Sequence, residues 1–108
     1  LLLNRIGEEM IVTSFRGRKV PLYVKNKSQL IAWALLVAKK MGKPISNAEF
    51  AFNLRCLRYG GIIHSLRQQG WNITTLRGKK RGEFYFECTY VPSYKTAKQG
   101  YAVIIEKG

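Results

Sequence analysis

The chain has 108 residues, 19 Lys and Arg against 6 acidic residues, and a formal net charge of +13. That length fits one domain, and 46% apolar residues with 12% aromatics supply a core and argue against wholesale disorder. There is no Asp and a single histidine, His64, which removes Asp-based triads, EF-hand loops and multi-histidine metal sites, and no apolar run is long enough to cross a bilayer.

The first described pattern is a pair of short β-favouring runs, 10–15 and 20–24, separated by Arg16-Gly17-Arg18-Lys19. They predict a hairpin with a basic tip, and Pro21 puts its second strand at an edge. Ser28 is the expected N-cap of a first helix. Leu30, Ala34, Val37, Ala38 and Met41 recur at three- and four-residue spacing behind it, with Trp33 widening the stripe. Lys39 and Lys40 fall where a helix dipole favours cations, and Gly42 followed by Pro44 ends the element.

Ser46 and Glu49 form a capping-box pair, predicting a second helix from Asn47 to Leu54. A third is expected over Leu57–Gln69, with Tyr59, Ile62, Ile63 and Leu66 inward and Gly61, His64 and Gln68 outward. The glycine pair Gly60-Gly61 weakens a helix by roughly 1 kcal/mol per residue relative to Ala. Two accounts fit it: a close approach by a backbone, the chain's own or a nucleic acid's, or a turn between helices. Strands are expected at 71–76 and 83–91, joined by the basic turn Arg77-Gly78-Lys79-Lys80-Arg81-Gly82. Phe84 and Phe86 share a face that needs burial, and Tyr85 faces outward. A loop over 92–100 and a final short strand, Tyr101–Ile105, close the chain.

This order predicts an α+β winged helix-turn-helix, three helices plus a β-hairpin wing, with an added N-terminal β-hairpin and a short C-terminal strand. It is expected to form one domain over 1–108: the hairpin extension at 1–27, the winged core at 28–91, and a loop and strand at 92–108.

The positive charge is concentrated. Between Met10 and Gly82 there are fifteen bases and one acid, Glu49. Such one-signed charge repels itself in a compact chain and points to a polyanionic partner. The side chains on and before the third helix suit duplex DNA: Arg55 and Arg58 for guanine or phosphate, Gln68 for adenine, and His64, Ser65 and Arg67 for bases or phosphates, with Gly61 allowing close approach. Arg67 has an alternative place beside the following strand or against Glu83 or Glu87. Arg77, Lys79, Lys80 and Arg81 on the wing, and Arg16, Arg18 and Lys19 on the hairpin tip, are the expected phosphate contacts.

The stretch Leu54–Thr75 resembles a family of small winged helix-turn-helix proteins of bacteriophages and prophages. The likeness is carried by Ile63, Leu66, Arg67, Gly70, Trp71, Ile73 and Thr75 and extends over about residues 28–90. It implies DNA binding. The pattern departs from the family at Gly60-Gly61, where small or apolar helix formers are usual.

The leading expectation is a sequence-preferring double-stranded DNA-binding protein of a phage or mobile element, acting as a transcriptional regulator or a replication or recombination accessory factor in a bacterial cytoplasm. RNA or single-stranded DNA binding through Tyr85 and Tyr90, and binding to a host protein through the basic surface, are the alternatives. No membrane partner, metal or cofactor is implied, and a dimer is an open alternative to a monomer. Six Glu and one His offer no acid/base pair at recognisable spacing, so an enzyme is the poorest reading. Cys56 and Cys88 read as free thiols in a reducing compartment.

Overall fold

The computed structural model describes residues 12–108. The start of the expected first strand, residues 10–11, lies outside them. The hairpin is tighter than its composition suggests: β1 (Ser14–Phe15) pairs antiparallel with β2 (Arg18–Lys19), Phe15 opposite Arg18. Arg16 and Gly17 make the whole turn, with φ of 53° and 81°, the positive pair that a two-residue type I′ turn requires. The expected second strand at 20–24 is therefore displaced toward the N-terminus. Val20 N–H still donates to the Thr13 carbonyl at 2.9 Å, but Pro21 has no N–H and ends the ladder.

Helix α1 (Lys27–Met41) is capped by Asn26, whose side chain accepts from Gln29 N–H at 2.8 Å. Ser28, the expected cap, lies inside the first turn; Asn is at least as good an N-cap and occurs two residues earlier in extended backbone. Every residue from Gln29 to Ala38 is buried, so α1 is a central helix packed on all sides rather than a surface helix with one apolar stripe. Gly42, in the left-handed region, closes it as expected. Gln29 is the one polar residue in this core among those described. Its carbonyl accepts from Lys25 N–H at 2.6 Å and its amide donates to the Gly100 carbonyl at 2.6 Å, so both amide ends have partners, as burial demands.

A two-residue strand, β3 (Ile45–Ser46), leads into α2 (Asn47–Phe52). The sequence pattern misses β3 because two residues carry no periodicity. Helix α2 stops at Phe52, two residues before the expected end. Asn53 and Leu54 N–H both turn back to the Glu49 carbonyl, and Arg55, at φ 51°, redirects the chain. Helix α3 (Tyr59–Gln68) follows, then β4 (Asn72–Arg77) and β5 (Phe84–Tyr90). The sheet order is β3-β5-β4, antiparallel throughout, with Ile45 opposite Phe86 and Thr75 opposite the same residue on the other side.

An aromatic cluster fixes α3 against this sheet. Phe50, fully buried, stacks on Tyr59 at 4.9 Å, and Phe86 meets both edge-on at 5.6 and 5.7 Å. Each such pair adds about 0.5–1.5 kcal/mol beyond area burial. Phe86 is packed as expected, but Phe84, near the open end of the ribbon, is 37% exposed.

The C-terminal segment corrects the sequence reading. Residues 101–105 are not a strand; they belong to a further helix, α4 (Gln99–Lys107), the fourth among the described residues. The run Tyr-Ala-Val-Ile-Ile is β-favouring in composition and too short for its periodicity to decide. All five residues of the run are at least half-buried and Ile104 is fully so, so its burial pattern shows no strand alternation either. Helix α4 packs on α1, and Tyr101 meets Trp71 edge-on at 6.4 Å. Among the described residues no helix is long and apolar enough to cross a membrane.

Candidate nucleic-acid interface

Helix α3 buries Ile63 and Leu66 and turns Gly60, Gly61, His64, Arg67 and Gln68 to solvent. The inward and outward faces are those the periodicity predicts. Its N-cap is Arg58, which makes no side-chain capping bond. Gly60 and Gly61 lie inside the helix rather than in a turn, and a Cβ at either would meet nothing within 4 Å. Among the described residues nothing in the fold requires glycine there, and no approach by their backbone accounts for the pair. Gly60→Ala and Gly61→Ala are expected to stabilise the protein by up to about 1 kcal/mol each while weakening duplex binding. Paired thermal melts and fluorescence anisotropy test this, and unchanged binding would remove the close-approach account.

The turn before α3 has a divided character. Leu54 and Cys56 point into the core, while Phe52 and Leu57 are 79% and 82% exposed. Lys27 holds the turn from the side of α1: its ammonium donates to the Leu54 and Arg55 carbonyls at 3.1 and 2.9 Å. Partial burial lowers the pKa of this lysine. Between the start of α1, the turn and α3 runs an open groove of about 1180 Å³, lined by Arg55, Arg58, Gly61 and Ser65 among others. Four of the residues expected to contact DNA therefore share one concavity. His64 and Gln68 stand on the adjoining exposed face of α3.

Arg67 occupies a different place from the one assigned to it as a DNA contact. Its guanidinium donates twice to the Ile73 carbonyl, at 2.9 and 2.6 Å, and once to Thr75 Oγ1 at 3.0 Å. This is the alternative position beside the strand. Neither Glu83 nor Glu87 is its partner, and its donors tie α3 to β4.

The wing carries Arg77 at the end of β4 and Lys79, Lys80 and Arg81 in the turn, all exposed. Glu83 orders that turn. Its carboxylate accepts from Lys80 N–H at 3.2 Å and from the Tyr85 hydroxyl at 3.0 Å. These bonds, the backbone one first, hold the Glu83 carboxyl below its usual range, and the same bond raises the Tyr85 hydroxyl. Tyr85 is half-buried, and its hydroxyl is held to Glu83 rather than standing free as a stacking platform. Asn47, at the start of α2, clasps the far side of the wing: its amide donates to the Gly82 carbonyl at 2.9 Å and accepts from Phe84 N–H at 3.2 Å.

The hairpin tip needs a correction. Arg16 is not a free phosphate contact: its guanidinium bonds both Glu49 carboxylate oxygens at 2.8 Å and the Lys43 and Pro44 carbonyls at 2.7 and 3.0 Å. Glu49 is thus engaged by Arg16, and only half of the expected capping box forms: Ser46 Oγ accepts from Glu49 N–H at 3.0 Å. Arg16–Glu49 is the only ion pair within 4 Å among the described residues. Arg18 and Lys19 remain exposed but line a separate cleft that includes no residue of α3 or the wing.

Asn47, Lys27 and Glu83 escape sequence reasoning. The partners of Asn47 and Lys27 lie 27–37 residues away, and no local pattern announces them. Glu83, three residues from Lys80 in a glycine-framed turn, was the one open to local reading. Both cysteines are free and buried, and burial raises the pKa of Cys88.

Three helices with a tight α2–α3 turn, followed by a two-stranded ribbon clasped to α2, define an α+β winged helix-turn-helix, a DNA-binding class of fold. Residues 32–84 match a family model described as a winged helix-turn-helix domain. No curated protein and no solved structure matches the chain.

Proposed function

We propose that the protein binds double-stranded DNA with sequence preference, α3 reading the major groove and the wing holding phosphates. The observation that carries this reading is the exposed surface of α3 itself. Gly60 and Gly61 leave its first turn bare, Arg55, Arg58 and Ser65 stand beside it in one groove, and His64 and Gln68 extend the same exposed surface. Those side chains offer base-edge donors and acceptors, whereas the wing offers three adjacent cations on a hydrogen-bonded turn. The resemblance of residues 54–75 to phage and prophage winged helix-turn-helix proteins supports a role in a mobile element, as a transcriptional regulator or a replication or recombination accessory factor.

Selection from a random duplex pool, followed by anisotropy on the enriched and a random sequence, tests the proposal. Arg58→Ala is expected to cost roughly 1–3 kcal/mol on the enriched site and little on the random duplex. An even loss on both sequences, or no enriched motif from the wild type, overturns the reading role of α3.

A further inference from the structure

A second basic concavity lies away from α3. It has a volume of about 380 Å³ and is formed by β2, the C-terminal half of α1 and the end of α4. Three separate elements deliver its cations: Arg18 and Lys19 from β2, Lys40 from the last turn of α1, and Lys107 from the last turn of α4. Among the described residues no Asp or Glu side chain lines it. Tyr23 and the edge of buried Trp33 form part of its wall. None of these four cations makes an ion pair among the described residues.

Two physical points separate this cleft from an ordinary solvated surface. Convergence of four like charges on one concavity is unfavourable in the folded chain alone, since self-repulsion opposes compactness. The placement is also rigid on the β2 side. The four hydrogen bonds of Arg16 lock the hairpin to the α1–α2 connection, and Phe15, next to the turn, packs edge-on against Trp33 at 6.4 Å. The backbone that carries Arg18 and Lys19 is therefore fixed before any ligand arrives, which leaves only their side chains to be ordered on binding. The volume falls within the range of small-ligand sites.

We propose that this cleft is a phosphate-binding site, taking clustered phosphate groups between Arg18, Lys19, Lys40 and Lys107. The chemistry is the same for a free polyphosphate compound and for successive phosphates of a nucleic-acid backbone. It does not depend on the reading of α3, so Arg58→Ala should leave it intact.

The test is calorimetric titration of the whole chain with sodium tripolyphosphate at about 0.15 M salt, where charges more than about 8 Å apart are largely screened. A saturable one-to-one site is expected. Lys40→Gln with Lys107→Gln should weaken it at least ten-fold, and Lys95→Gln with Lys98→Gln, which removes the same charge from exposed positions just before α4 and outside the cleft and the wing, less than two-fold. Equal losses from the two pairs, or no saturable binding, overturn the proposal. Lys40→Gln alone, expected to weaken binding several-fold with an unchanged melting temperature, repeats the test should the double variant unfold. Duplex binding then separates the sources. Phosphates of a DNA backbone require the cleft pair to weaken duplex binding and to lower its salt slope; a free phosphate compound requires duplex binding to be the same with and without the pair.

Discussion

Replacing Arg16 with Ala is expected to lower the unfolding free energy by about 3 kcal/mol and to leave the salt dependence of DNA binding unchanged. The Arg16 and Glu49 side chains are 14% and 21% exposed, between the surface pairs that contribute little and the buried pairs whose disruption costs 3–5 kcal/mol. Removing the guanidinium strands a carboxylate and takes a donor from two carbonyls at once, and each such loss is expensive where water is scarce. Arg16→Lys should rescue little, because an ammonium cannot reproduce a planar fork. Urea denaturation of Arg16→Ala, Glu49→Ala and the double variant measures the coupling, expected at about 1–2 kcal/mol. A variant of normal stability whose binding loses about one phosphate contact of salt slope would return Arg16 to the list of DNA contacts.

The second large effect is expected at the wing. Converting Lys79, Lys80 and Arg81 together to Gln should reduce the slope of log affinity against log salt by about 2.7, at roughly 0.9 per phosphate contact. Duplex affinity should fall on the order of a hundred-fold near physiological salt, alike for preferred and random sequences. The uniformity follows from chemistry: phosphates position a protein and carry no sequence directly. Glu83, Tyr85 and Asn47 hold the turn without using those three side chains, so the variant should remain folded. Anisotropy titrations from about 50 to 300 mM salt check it. A selective loss on the preferred site with an unchanged slope would mean that the wing reads bases instead.

Much of this protein is written locally. The amphipathic spacing of α3, the glycine-framed wing and the Gly42 stop are short-range signals, and the fold places each where those signals do. The errors share a cause. Residues 101–105 form a run too short for periodicity to decide, and packing against α1 made it a helix. Residues 20–24 favour strand by composition, but a two-residue turn at Arg16-Gly17 completed the hairpin before them. At the interface, exposure of a cation was legible and its engagement was not. Arg16 looks like Arg18 in sequence, and only the fold shows it bonded to Glu49; for Arg67 the sequence leaves a DNA contact and a place beside the following strand both open, and the fold puts it on the Ile73 carbonyl. Lys40 and Lys107 lie 67 positions apart, and nothing local relates them.

Helix α2 has six residues, well below the length at which an isolated helix persists in water. Its order is borrowed from what it holds: Glu49 grips the hairpin and Asn47 grips the wing. Local opening of this one turn and a half would release both clasps in a single event. Amide hydrogen exchange at Phe50, Ala51 and Phe52 should therefore slow when DNA engages the wing, although none of these amides touches it. The shortest helix among the described residues thus serves as a reporter of events on two surfaces at once.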